Sequence, residues 1–182
     1  MLRKFFLLVL CTLFSMGQLA WISTASAGEN IPYLLTAASK GDVVTVRAML
    51  NSGTNPDTRD ADGLTALMYA ARKDKADVAL ALLEKGADVN AKESGGWTAL
   101  MFAAKKNYLA TAKVLLDKGA DAKVRDESGW SALGLAATSG YYEMVDTLIK
   151  HGIDVNAKSD DGKSVLMHAA KNGDLPTIKI LL

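Results

Sequence analysis

Thiol and imidazole are scarce in this 182-residue chain, which holds one cysteine, Cys11, and two histidines, His151 and His168. A disulfide framework is therefore excluded, and so is a structural zinc site, which draws four ligands mostly from those two residue types. The two histidines lie 17 residues apart without cysteine partners. Charge of neither sign prevails, with 21 Lys and Arg against 20 Asp and Glu, so a protein that binds polyanions over its whole surface is not indicated. There is no low-complexity stretch, and no linker beyond residues 28 to 30.

What the chain does have is a period. Gly63, Gly96, Gly129 and Gly162 stand 33 residues apart, and each opens the same phrase of Gly, any residue, Thr or Ser, a small apolar residue, Leu. Three positions after each of Leu67, Leu100, Leu133 and Leu166 begins an alanine pair, and three positions beyond each pair stands Asp74, Asn107, Gly140 or Gly173. These turn-prone residues separate one short helix from the next. A second apolar stretch ends in Leu82-Leu83, Leu115-Leu116 and Leu148-Ile149, followed by Gly86, Gly119 and Gly152, placed to take the left-handed conformation that closes a helix. The unit reads helix, turn, helix, loop, and a unit stacked on copies of itself makes a solenoid whose function lies on its shared surface.

These residues resemble the ankyrin repeat, approximately Asp-x-x-Gly-x-Thr-Pro-Leu-His-x-Ala-Ala, a turn, a second helix with Leu-Leu, and Gly-Ala-Asp-x-Asn. Residues 60–92 follow it down to Gly86-Ala87-Asp88-Val89-Asn90, and 93–125 and 126–158 repeat the match. The resemblance implies an all-α ankyrin-repeat solenoid of about five helix-turn-helix repeats with finger-like β-turn loops, at about 28–59, 60–92, 93–125, 126–158 and an incomplete 159–182. Physical reasons stand beside it. Thr65, Thr98, Ser131 and Ser164 are placed as helix N-caps, at about 1 kcal/mol each, and the alanine pairs allow close approach of neighbouring inner helices. The family's proline is replaced by Ala66, Ala99, Ala132 and Val165, and its histidine by Met68, Met101, Gly134 and Met167. Gly134, inside a helix, is expected to cost about 1 kcal/mol and to make the fourth repeat the weakest internal one.

Residues 31–53 align as a first repeat without its finger, as an N-terminal cap allows, and Leu181-Leu182 align with Leu82-Leu83 without a closing glycine. From the latter we expect either a longer natural chain or a frayed end. Residues 1–27 have a different layout: Arg3-Lys4, an apolar run from Phe5 to Phe14, then Ala25-Ser26-Ala27. That is the pattern of a secretory signal peptide, cut before Gly28. The alternative is an uncleaved anchor, since Phe5 to Ile22 approaches the length of a membrane span, against which Gln18 and the cleavage motif argue. Either way the repeats, residues 28–182, are expected outside the cytoplasm. Cys11 follows Leu10 where a lipoprotein signal resembles Leu-x-Gly/Ala-Cys, so no lipid anchor is expected, and the mature chain carries no thiol.

Catalytic motifs dissolve into the repeat. Gly162-Lys163-Ser164 has the ending of a phosphate-binding loop, but Ala157 stands where its first glycine is required. Gly129-Trp130-Ser131-Ala132-Leu133-Gly134 has the second glycine one residue too late for a nucleophile elbow. No enzyme activity, cofactor or metal is expected.

In ankyrin-repeat proteins the fingers and the exposed side of the first helix grip partner proteins. Carried onto this sequence, that strip comprises Leu64, Trp97, Trp130 and Lys163 in the fingers, and Arg72, Lys73, Lys105 and Lys106 after the alanine pairs, bordered by Tyr69 and Phe102. Packing between neighbouring fingers is the competing reading for the aromatics, and a solvated face for the lysines. Tryptophan beside Arg and Lys is nevertheless a hot-spot composition. Asp60, Asp62, Glu93, Asp126, Glu127, Asp160 and Asp161 gather at finger bases and tips, so an acidic or mixed-charge partner with an apolar ridge fits. The resemblance to bacterial periplasmic ankyrin-repeat proteins implies an exported, monomeric, non-catalytic adaptor for a protein partner, without nucleic-acid or membrane binding after signal cleavage. The alternative is a secreted effector or toxin component that binds a host protein.

Overall fold

The computed structural model describes residues 32–156, 158 and 162–182. The expected signal segment, residues 1–27, lies outside them. Ten helices follow in order: α1 (Tyr33–Lys40), α2 (Val43–Asn51), α3 (Ala66–Ala71), α4 (Ala76–Glu84), α5 (Ala99–Lys105), α6 (Leu109–Asp117), α7 (Ala132–Thr138), α8 (Tyr142–Lys150), α9 (Val165–Asn172) and α10 (Leu175–Leu181). Among the described residues there are no strands, only single β-bridges at Arg59 with Thr65, Arg125 with Ser131 and Lys158 with Ser164. Each bridge closes the base of one finger.

Local chemistry starts and stops each helix. The hydroxyls of Thr65, Thr98, Ser131 and Ser164 accept from the backbone N–H three residues on, at 3.3, 3.4, 3.3 and 3.2 Å. Each satisfies one of the N–H groups that the first helical turn leaves unpaired. At the other end, Asp74 and Asn107 adopt φ of 52° and 59° and Gly140 and Gly173 of 73° and 65°. This left-handed step lets the next N–H reach back five residues, as from Lys75 to Ala70 O at 3.0 Å and Tyr108 to Ala103 O at 2.9 Å, which is the Schellman closure of a helix. Asp and Asn tolerate that conformation better than other side chains.

The odd-numbered helices form an inner row and the even-numbered ones an outer row, each helix packing on its counterparts in the flanking repeats and on its partner within the repeat. Ala70, Ala71, Ala103, Ala104, Ala136 and Ala137 are all fully buried, since no larger side chain fits where inner helices touch. Leu67, Leu100 and Leu133 join Leu82, Leu115 and Leu148 of the outer row between the layers. Met68 and Met101, where the family has histidine, are buried in the same layer.

Polar couplings between repeats keep the period. Arg59 donates to Gly63 O in its own finger and to Lys92 O one repeat on, at 2.9 and 2.6 Å. Arg125 does the same with Gly129 O and Lys158 O. Thr111, fully buried in α6, donates to Asp74 Oδ1 at 2.8 Å. For its counterpart Thr177 in α10 the register position of Asp74 is Gly140, and the buried Thr177 Oγ1 has no partner among the described residues.

Gly134 has a packing role that its helix propensity does not reveal. A Cβ placed there would come within 3.1 Å of Trp130 Cε3, so the indole lies over the helix and occupies the space a side chain would take. The residue is a packing requirement of Trp130, which offsets part of its helix cost.

Candidate functional site: a basic aromatic groove on the inner helices

The C-terminal ends of α3 and α5 and the finger before α5 enclose a groove of about 440 Å3. Arg72 and Lys73 line one side and Lys105 and Lys106 the other, with Trp97, Phe102 and Tyr108 between them. The repeat puts them together: the two cation pairs follow equivalent alanine pairs, one helix away from each other. Their position is electrostatically favourable, because Lys105 lies in the last turn of α5 and Arg72 and Lys106 cap α3 and α5, where the helix dipole presents partial negative charge.

Aromatic contacts organise the floor. The Trp97 and Phe102 ring centroids are 5.0 Å apart at 44°, within the range of favourable tilted pairs. The Arg72 guanidinium sits 5.4 Å from the Phe102 ring and 5.8 Å from that of Tyr69, a cation–π bridge between repeats. Tyr69 in turn donates its phenol to Asp60 Oδ2 at 2.8 Å, and burial, then that hydrogen bond, pushes its pKa above the ordinary value. Among the described residues no ion pair engages Arg72, Lys73, Lys105 or Lys106. Among the described residues the one hydrogen bond from these heads is that of Lys105 Nζ to Ser139 Oγ, at 3.5 Å.

Six of the residues singled out in the sequence therefore meet in one groove, and Tyr69 backs it. Leu64 does not belong: it is 7% exposed and packs in the core, so the exposed role expected for it is withdrawn. Trp97, in the same register, is too large to tuck under the finger and stays half-buried. Trp130 and Lys163 lie one and two repeats away around a nearly closed gap of about 10 Å3, with the Trp130 ring 5.1 Å from that of His168. Tyr108, which sequence reasoning did not single out, belongs to the groove. An aromatic in register with Lys75 and Tyr141, two residues after Lys106, was the available signal.

The finger acids also divide. Asp60, Glu93 and Asp126 accept from the N–H of Leu64, Trp97 and Trp130, at 2.8, 2.9 and 2.8 Å. They hold their own turns, as Asx-type residues do, while Asp62 and Glu127 remain exposed. Among the described residues no group of three or more His, Cys, Asp or Glu could hold a metal. No helix among them is long and apolar enough to cross a membrane.

A family model of ankyrin repeats in three copies matches residues 34–126, 92–159 and 118–182. The chain belongs to the ankyrin-repeat family. It matches no curated protein. Ankyrin repeats are in general protein–protein interaction modules and non-catalytic scaffolds, and the groove between α3 and α5 lies on the inner-helix row of this ankyrin-repeat domain.

Proposed function

We propose that this ankyrin-repeat chain is an exported, non-catalytic adaptor that acts as a monomer and holds a partner protein on its inner-helix groove. The observation that carries the reading is the convergence of Arg72, Lys73, Lys105 and Lys106 around the Trp97–Phe102 pair. Large aromatics beside Arg in a concave, partly desolvated patch are what interface hot spots are made of. Chemistry is not what such a groove is equipped for, since it offers cations and rings but neither nucleophile nor acid–base pair. Export rests on the layout of residues 1–27, with the basic start, the apolar run and Ala25-Ser26-Ala27 ahead of the first repeat.

Affinity capture tests the reading. The mature protein and a Lys105→Glu/Lys106→Glu variant serve as baits on periplasmic and culture fractions, with mass spectrometry of what each retains. A partner held by the wild type and lost by the variant is the expected result. Equal retention by both would move the binding face elsewhere. N-terminal sequencing of the protein in those fractions should begin at Gly28, and a retained leader in a membrane pellet would speak for the anchor.

A further inference from the structure

The groove carries charge of one sign, and its own neighbours do not neutralise it. The adjoining finger carboxylates are engaged: Asp60 takes the Tyr69 phenol and two backbone N–H groups, and Glu93 takes the Trp97 N–H. Helix dipoles make cations acceptable at these helix ends. They do not require them, because the fourth repeat folds with Thr138 and Ser139 in the equivalent positions. Four cationic heads that have no ion pair among the described residues repel one another within one groove, a cost that an anionic occupant would reverse.

Two further groups wait for an acceptor. Trp97 and Tyr108 line the groove, and neither the indole N–H nor the phenol hydroxyl makes a hydrogen bond among the described residues. Buried Trp and Tyr generally find a partner for these groups, and at this half-buried position a bound chain can supply one. Between them the Trp97 and Phe102 rings offer an apolar surface.

We propose that the occupant is a short acidic segment of a partner protein in which carboxylate side chains flank one large apolar residue. This rests on the reading of the groove as a protein-binding surface. The carboxylates meet Arg72, Lys73, Lys105 and Lys106, the apolar side chain packs on the Trp97–Phe102 pair, and Trp97 Nε1 and Tyr108 donate to the segment's oxygens. A nucleic acid fits less well. The basic strip is interrupted at Thr138 and Ser139, and exposed Asp62 and Glu127 on the fingers oppose a continuous polyanion.

Panning a display library of random short peptides on the purified full-length protein tests this directly. In parallel the library is panned on Lys105→Glu/Lys106→Glu, and on Lys118→Glu, a charge reversal at the exposed end of outer helix α6. Circular dichroism checks that the variants remain folded. Expected is enrichment of Asp and Glu beside Trp, Phe, Leu or Ile on wild type and Lys118→Glu, lost on the groove variant. A synthetic peptide of the enriched sequence should bind about tenfold tighter than its Asn/Gln counterpart, and tighter than a single-stranded oligodeoxynucleotide of similar length.

Neutral or basic enriched sequences, no enrichment, or the same acidic sequences on the groove variant would overturn the proposal, as would tighter binding of the oligodeoxynucleotide. A captured protein partner lost with Lys105→Glu/Lys106→Glu but not displaced by the acidic peptide would overturn this inference alone. A partner indifferent to both would remove the protein-binding reading of the groove with it.

Discussion

Replacing Gly134 by alanine sets two effects of similar size against each other. Propensity alone favours the change by about 1 kcal/mol, the difference between Gly and Ala inside a helix. The new Cβ, however, meets Trp130 Cε3 at 3.1 Å and Cζ3 at 3.5 Å, short of the separation of about 3.5–4.0 Å at which carbon contacts are favourable. The indole must withdraw by a few tenths of an ångström, loosening its contact with the His168 ring at 5.1 Å and its packing on the core. Aromatic contacts of this kind are worth about 0.5–1.5 kcal/mol, so the gain and the loss nearly cancel. We expect Gly134→Ala to change stability by less than about 0.5 kcal/mol in the wild type, yet to stabilise a Trp130→Leu background by about 1 kcal/mol. Urea unfolding of the four proteins in this double-mutant cycle, followed by circular dichroism, gives the coupling. A gain of about 1 kcal/mol in both backgrounds would refute the argument that Trp130 is the reason for the glycine.

The buried hydroxyls make a matched pair. Thr111→Val removes the 2.8 Å bond to Asp74 and should cost about 1–2 kcal/mol, whereas Thr177→Val deletes a hydroxyl with no partner among the described residues and should be neutral or stabilising; equal losses in urea melts would count against the account. Trp97→Ala should lower stability by about 2 kcal/mol, roughly half the cost at a fully buried tryptophan, because the ring packs on Phe102 as well as facing the groove. The same change should weaken partner binding by about 2 kcal/mol or more, and unchanged affinity of the folded variant would make the ring packing alone. The Tyr69 phenol, raised by burial and by Asp60, should ionise above the ordinary value of about 10. A folded pKa above the unfolded one means stability present below pH of about 10 and lost as pH rises through the higher value. An ultraviolet absorbance titration should find one tyrosine ionising late, and earlier in Asp60→Ala.

The repeat made most of the fold legible. Helix starts at Thr65, Thr98, Ser131 and Ser164, and left-handed turns at Asp74, Asn107, Gly140 and Gly173, follow from backbone chemistry within a few residues. Position in the repeat does not decide side-chain fate. Leu64 and Trp97 share a register, yet the smaller is absorbed by the core and the larger remains at the groove, a matter of volume against the space left by the neighbouring repeat. Gly134 looked like a defect because the indole that fills its place arrives from four residues earlier in the finger. Likewise Asp60, Glu93 and Asp126 read as surface charge until their hydrogen bonds to the finger backbone are seen. The groove itself was legible in outline, since four cations and two aromatics recur at fixed offsets. Tyr108 was missed because it begins an outer helix while its ring faces the inner groove.

Hydrogen exchange with and without a captured partner tests the central claim most directly. The account predicts slowed exchange confined to the inner face, at residues 69–73 and 97–108, with α6 and α8 of the outer row unchanged. Protection that falls on the outer helices instead, leaving 97–108 as in the free protein, would contradict it.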